Sequence, residues 1–216
     1  MIDRKMALNW AGVRQPDAEW LARMDAVASR MESSLQPRAA WKVYPLDTSG
    51  ETIRIVGPDI ELPGQLARRM LGGCQSVILL CATLGEPFER QLRLESRRDM
   101  ADALLYDAAG SAYVESFADA QEEQLQARFA DQYLTDRFSC GYGDLPLFLQ
   151  KELLAAAQQP NLGIYVSDSF MMNPTKSITA LIGLADAPQP ARIRGCAYCS
   201  LQKRCPYRKE GTTCAA

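Results

Sequence analysis

Asp99 to Gln132 reads DMADALLYDAAGSAYVESFADAQEEQLQARFADQ. The stretch has no proline and is rich in Ala, Leu and Glu, so it predicts one long helix, or two nearly collinear ones meeting at Gly110 and Ser111. A helix of this length is the spine on which the flanking segments must pack. Just upstream, Pro87 at a first-turn position opens a helix through about Ser96. Before it, Ser76 to Cys81 is a continuous apolar run suited to a central strand buried on both faces, and Gly64 to Leu71 is a short helix stopped by Gly72 and Gly73. Further toward the N-terminus, Trp41 to Tyr44 and Thr52 to Val56 alternate around the turn-rich Leu46 to Gly50 and predict a β-hairpin. Trp20, Leu21, Met24, Val27, Ala28, Met31 and Leu35 repeat at helical spacing behind Pro16 and Asp17, which predicts a helix from Asp17 to Leu35.

Downstream of the spine, the glycine-rich Arg137 to Gly143 interrupts, and Pro146 to Ala157 is an amphipathic helix. Leu162 to Val166 and Ser177 to Leu184 read as strands joined by the irregular Ser167 to Lys176. Helices and strands alternate without a regular βαβ repeat. The expected architecture is α+β: a twisted mixed β-sheet with flanking helices, one of them long and central, plus a small C-terminal cysteine module. Asp186 to Pro190 is a stiff linker, so the expected division is a domain over residues 1–185 and a linker and tail over 186–216.

Composition bounds the chemistry. The 216 residues carry a formal charge of -2 with 47% hydrophobic and 23% charged residues, the balance of a globular domain able to bury a full core. Without a basic excess, nucleic acid and anionic membranes are not expected partners. Histidine is absent, which removes Ser-His and Cys-His nucleophiles and every imidazole metal site. Met1 to Val13 has no continuous hydrophobic stretch and the longest apolar run, Val77 to Ala82, is far too short to span a bilayer, so a cytoplasmic setting is expected.

In a reducing compartment, clustered cysteines are metal ligands before they are disulfides. Cys196, Cys199, Cys205 and Cys214 form Cys-x2-Cys-x5-Cys-x8-Cys in GCAYCSLQKRCPYRKEGTTC. Four thiolates suit either a tetrahedral zinc or an iron-sulfur cluster, and spacing does not separate the two. Lys203, Arg204, Arg208 and Lys209 would offset the negative charge of such a centre.

Three further segments carry candidate chemistry. Arg137, Phe138, Ser139, Cys140, Gly141, Tyr142, Gly143 and Asp144 combine a guanidinium fork with glycines that admit close backbone approach to a ligand. Asp107, Ser111 and Glu115 share one face of the long helix amid small residues, a stripe that Asp119 and Glu122 prolong in the manner of a solvated face. Asn173 to Thr179 is a loop that carries Lys176 into an apolar strand.

In this order, DAAGSAYVESFAD (Asp107 to Asp119), RFSCGYGDLP (Arg137 to Pro146) and MNPTKSITALIG (Met172 to Gly183) resemble the activation domain of cobalamin-dependent methionine synthase, over roughly Gln75 to Ala185. The last segment is nearer to stand-alone relatives of that domain. The resemblance implies binding of S-adenosylmethionine, with Arg137 on the methionyl carboxylate, backbone at Ser139 and Gly141 near the adenine, Tyr142 toward the corrin, and Glu115 and Asp107 on the helix that faces the same cavity. It implies reductive reactivation of a cobalamin or other corrinoid held by a partner methyltransferase or methionine synthase, with an electron from a donor such as flavodoxin or ferredoxin. The cysteine tail is not part of the fused domain, and a cluster there would replace or receive that electron. A noncatalytic corrinoid-protein adaptor with a structural zinc tail, or a regulator that binds S-adenosylmethionine, are the alternatives.

Overall fold

The computed structural model describes residues 1–157, 162–195, 197 and 202–209. In chain order these form α1 (Arg4–Trp10), α2 (Ala18–Ser34), β1 (Arg38–Asp47), β2 (Ile53–Ile55), β3 (Ile60–Leu62), α3 (Gln65–Leu71), β4 (Ser76–Thr83), α4 (Glu86–Arg98), α5 (Met100–Arg128) and β5 (Tyr133–Leu134). A 3-10 turn (Leu147–Leu149), α6 (Gln150–Ala157), β6 (Tyr165–Val166), β7 (Met172–Asn173), β8 (Ser177–Ala185) and α7 (Pro206–Lys209) follow. The class is α+β, as expected.

The spine is unbroken. The Asp99 carboxylate caps α5 by accepting from the backbone N–H of Ala101 and Asp102, and the helix runs through Gly110 without a kink-forming break. Gly110 is there for packing. A Cβ at this position would lie 2.2 Å from Cε2 of Phe88, whose ring on α4 stacks on Tyr106 of α5 with centroids 5.2 Å apart. Leu105, Tyr106, Ala109 and Ala112 of α5 thus close a core with Met24, Val27 and Met31 of α2 and Leu8 of α1.

Six strands form one sheet in the order β3-β2-β1-β4-β8-β5. Every pairing in it is antiparallel, so the expectation of a mixed sheet is corrected. The reason lies in the connections: β1, β2 and β3 form a meander of short turns, and the excursion from β4 to β8 returns from the far end, so no βαβ crossover creates a parallel pair. β4 and β8 pair over their length, with Ile78 opposite Ile182 and Leu79 opposite Leu181. Alternate residues explain why both strands read as uniform apolar runs. Val77, Leu79, Cys81 and Leu181 pack against Leu66, Met70 and Leu71 of α3 and Leu153 and Leu154 of α6, whereas Ile78, Leu80, Ala180, Ile182 and Leu184 pack with Leu125 of α5 on the other face.

The short elements are where expectation and structure part. Leu162 to Val166 contributes only Tyr165 and Val166, which pair with Met172 and Asn173 in a separate two-stranded ribbon. The helix expected from Pro146 begins as a 3-10 turn. Beyond β8, the chain turns back on the body: Ala191 and Ile193 pack on the core, and the Tyr207 hydroxyl donates to the Asn9 carbonyl at 2.9 Å. No described helix is long and apolar enough to cross a membrane.

Candidate functional site

One face of α5 presents Asp107, Ser111, Glu115, Asp119 and Glu122 at successive turns, and two largely covered cations from later in the chain meet it. The first is Lys176, at the entrance to β8. Its Nζ lies 2.8 Å from Asp107 and donates to Ser111 Oγ at 2.8 Å, 5.7 Å from the Phe88 ring centroid. The side chain is only 13% exposed. Its own carbonyl accepts from the backbone N–H of Leu84, which fixes it beside the end of β4.

The second cation is Arg137. Its neighbour Phe138 bridges to Leu181 of β8 through both backbone bonds, at 3.1 and 2.8 Å, so the arginine leaves the sheet edge at a set height. The guanidinium, 11% exposed, meets Glu115, Asp119 at 2.5 Å, and Glu122. Burial pulls its pKa down, but Glu122, Asp119 and Glu115 more than offset that and hold it above the usual arginine value. Glu122 and Asp119 also receive Arg194, from the segment after β8. Asp119 and Glu122, which the stripe pattern left as a solvated face, are therefore members of the ion-pair cluster.

The loop after Arg137 is tied at each end. Ser139 Oγ donates to the Thr179 carbonyl at 2.6 Å, and Gly141 takes a φ of 82°, where its N–H donates to the Leu145 carbonyl. The Asp144 carboxylate then caps α3, accepting from the N–H of Gln65 at 2.6 Å and Leu66 at 2.9 Å, and these bonds hold its pKa below the usual carboxylate range. A Cβ at Gly64 would meet that carboxylate at 2.7 Å, which is why glycine precedes α3. Tyr142 is about half exposed at the turn, with its N–H donating to the Ser139 carbonyl.

The fold therefore unites the three segments singled out in the sequence. Glu115 touches Arg137 directly, Ser139 reaches the strand that begins after Lys176, and Lys176 reaches Asp107. Asp136, which the sequence did not single out, joins them to the C-terminal segment. Its carboxylate accepts from the N–H of Ile193 at 2.9 Å and of Arg194 at 3.1 Å and pairs with Arg192. Burial raises its pKa, yet those N–H donors and Arg192 leave it lowered. Asp119, Glu122, Glu123, Gln126, Leu134 and Arg194 line an open cleft of about 450 Å³ beside this cluster.

Of the cysteine motif, Cys196, Cys199 and Cys214 lie outside the described residues. Cys205 is half-buried just before α7, and no group of three metal-ligating side chains occurs among the described residues. Cys74, Cys81 and Cys140 are buried, and burial pushes each thiol up to about 11, so they are inert core residues.

No protein-family model matches the chain, and no curated protein does. Among solved structures, a crystal structure of the MetH reactivation domain bound to AdoHcy superposes with a TM-score of 0.64 at 16% identity, over 99% of this chain and 82% of that one. The chain has that domain's fold. The likeness extends well past Gln75 to Ala185, the stretch that carried the motif resemblance.

Proposed function

We propose that the protein binds S-adenosylmethionine on the Arg137 side of α5 and remethylates the corrinoid of a partner methyltransferase. The observation that carries this reading is the convergence of Asp107–Glu122, Arg137–Asp144 and Lys176–Thr179 at one edge of a reactivation-domain fold. The electrostatics support it. Asp107, Glu115, Asp119 and Glu122 meet Lys176, Arg137 and Arg194, four acids against three cations, or -1. S-adenosylmethionine carries a carboxylate, an ammonium and a sulfonium and is cationic overall. A zwitterionic amino-acid end can enter an existing ion pair: its carboxylate takes the Arg137 fork while its ammonium takes the acid that Arg137 gives up, Glu115. Both charges of that amino-acid end find partners in the exchange.

The chemistry then balances. One electron from a low-potential donor protein such as flavodoxin or ferredoxin reduces the partner's cobalt(II) to cobalt(I); cobalt(I) attacks the sulfonium methyl carbon, the carbon-sulfur bond breaks with its electron pair staying on sulfur, and methylcobalt(III) and S-adenosylhomocysteine result. The chain's share is orientation by Arg137, Glu115 and the Ser139–Tyr142 turn, with Tyr142 exposed toward the partner. The cysteine set has the donor chemistry for a soft metal centre, which as an iron-sulfur cluster would supply electron transfer and as zinc would brace the tail. Titration calorimetry with S-adenosylmethionine tests the reading, together with a single-turnover assay of cobalt(II) corrinoid loss. Binding by the wild type and loss of binding in Arg137→Ala are expected; equal affinity would overturn it.

A further inference from the structure

We infer that Arg194 is a positioning residue for Arg137: by taking Glu122 and Asp119 from the C-terminal segment, it weakens the hold of the α5 acids on the Arg137 guanidinium and leaves that group able to exchange partners for an incoming carboxylate. The inference deepens the reading above and rests on it.

Three observations converge. Glu122, 14% exposed, sits between the two guanidiniums and accepts from both, so each arginine competes for the same carboxylate. Arg194 also approaches Asp119 at 3.6 Å, the second of the three acids on Arg137. The backbone that carries Arg194 is fixed, because Asp136, adjacent in sequence to Arg137, accepts from the N–H of Ile193 and Arg194 and pairs with Arg192. The C-terminal segment is thus tied to the root of Arg137 and delivers its cation to that arginine's partners.

The consequence is electrostatic. Glu115, Asp119 and Glu122 against Arg137 and Arg194 sum to -1; without Arg194 the same acids hold Arg137 at -2. The added negative charge also draws the ligand's ammonium and sulfonium, so the penalty falls on the exchange itself: the ligand carboxylate must pull Arg137 from acids that have no other cation. Arg194 is 45% exposed while Arg137 is 11% exposed, so the outer arginine can be removed without opening the core.

Calorimetry with S-adenosylmethionine on the full chain tests this through the pattern across variants. Arg194→Ala should weaken binding roughly three- to tenfold, the range of a partly exposed charge coupling. Arg194→Lys should stay near the wild type. Glu122→Gln placed in Arg194→Ala should restore affinity, since it removes the acid that Arg194 had offset, an outcome no loss of packing would give. Unchanged affinity in Arg194→Ala, or no restoration in the double variant at unchanged melting temperature, overturns the inference. If the wild type binds no S-adenosylmethionine, the proposed function falls instead. The inference is then decided by nitrogen-15 NMR of guanidinium proton exchange at Arg137: slower exchange in Arg194→Ala supports it, and unchanged exchange overturns it.

Discussion

Lys176 Nζ lies 2.8 Å from the Asp107 carboxylate, yet the two partners sit in unlike surroundings: the lysine is 13% exposed and the aspartate 48%. The asymmetry makes the pair directional. Asp107→Asn leaves a largely buried ammonium beside Phe88 with neutral acceptors alone, the amide oxygen and the Ser111 hydroxyl, at a cost of about 1–2 kcal/mol. Lys176→Met leaves a solvated carboxylate and an apolar chain on Phe88, at under about 1 kcal/mol. Urea unfolding should rank Asp107→Asn as the more destabilised variant, and the reverse order would show that Lys176 is held by something other than its charge.

Arg137 should matter to stability as well as to the ligand. Its removal leaves Glu115, Asp119 and Glu122, the last only 14% exposed, in a row along two helix turns, with Arg194 reaching Asp119 and Glu122 but not offsetting all three. Arg137→Ala should therefore lower unfolding free energy by about 2–4 kcal/mol, in the range for breaking a largely buried ion network. Arg137→Lys should recover part of the stability but little ligand affinity, because an ammonium lacks the planar fork that meets a carboxylate through two bonds. Denaturation and calorimetry together separate the two effects.

Acid should release the Arg137 loop through Asp144. The folded pKa of Asp144 lies below its unfolded value because the α3 N–H groups favour the charged form. Its contribution is therefore full above the unfolded value, about pH 4, and is lost as pH falls through the folded one. Asp144→Asn should destabilise the protein at pH 7 and less at pH 3, where part of the carboxylate's contribution has been lost. Urea midpoints at the two pH values measure this, and an equal penalty at both would rule out the carboxylate as the cap.

These dependencies show why some of the molecule could be read from its sequence. α2, β4, α5 and β8 are long and carry their own periodicity, whether helical or uniformly apolar, so local residues determine them. β3, β5, β6 and β7 span two or three residues each and exist only through partners such as Leu62 for Ile53 and Ala185 for Tyr133. The candidate site divides similarly. Arg137 and Glu115 stood out through motif resemblance, and four-residue spacing put Asp107, Ser111 and Glu115 on one helix face, whereas Asp119 and Glu122 read as a solvated prolongation of that stripe and their pairing with Arg137 did not show. Arg194 and Asp136 had no such signal, because Pro188 and Pro190 read as a stiff linker and the bonds between them join residues far apart in sequence.

Gly110 illustrates the same limit and yields a further test. By propensity alone, Gly110→Ala should stabilise α5 by about 1 kcal/mol. The new Cβ would meet the buried Phe88 ring at 2.2 Å, a contact the ring can relieve only by moving off Tyr106 and away from Lys176. Overpacking of this kind costs about 1–3 kcal/mol, so the net effect should be a lower melting temperature. A rise would mean that α4 can shift as a unit without loss.

Two truncations separate what the C-terminal segment does for the ligand site from what the cysteines do. Ending the chain at Asp186 removes Arg194 together with Ala191 and Ile193, which cover part of the core, whereas ending it at Gly195 keeps all three and removes the cysteine motif together with α7 and its Tyr207 bond to Asn9, which lies away from the ion-pair cluster. If the segment acts through Arg194, the shorter chain should bind S-adenosylmethionine as weakly as Arg194→Ala or more so, and the longer one should bind like the full protein. Both should lose corrinoid reactivation with a physiological donor, because each lacks Cys196, Cys199, Cys205 and Cys214. A low-potential chemical reductant then distinguishes the roles of the cysteines: it should restore methyl transfer in the Gly195 truncation if they carry electrons, and should fail to do so if they dock the partner. Anaerobic metal analysis of the full chain complements this, since iron with acid-labile sulfide goes with the first outcome and zinc with the second. Full activity of the Gly195 truncation with the physiological donor would show that the four cysteines serve neither purpose.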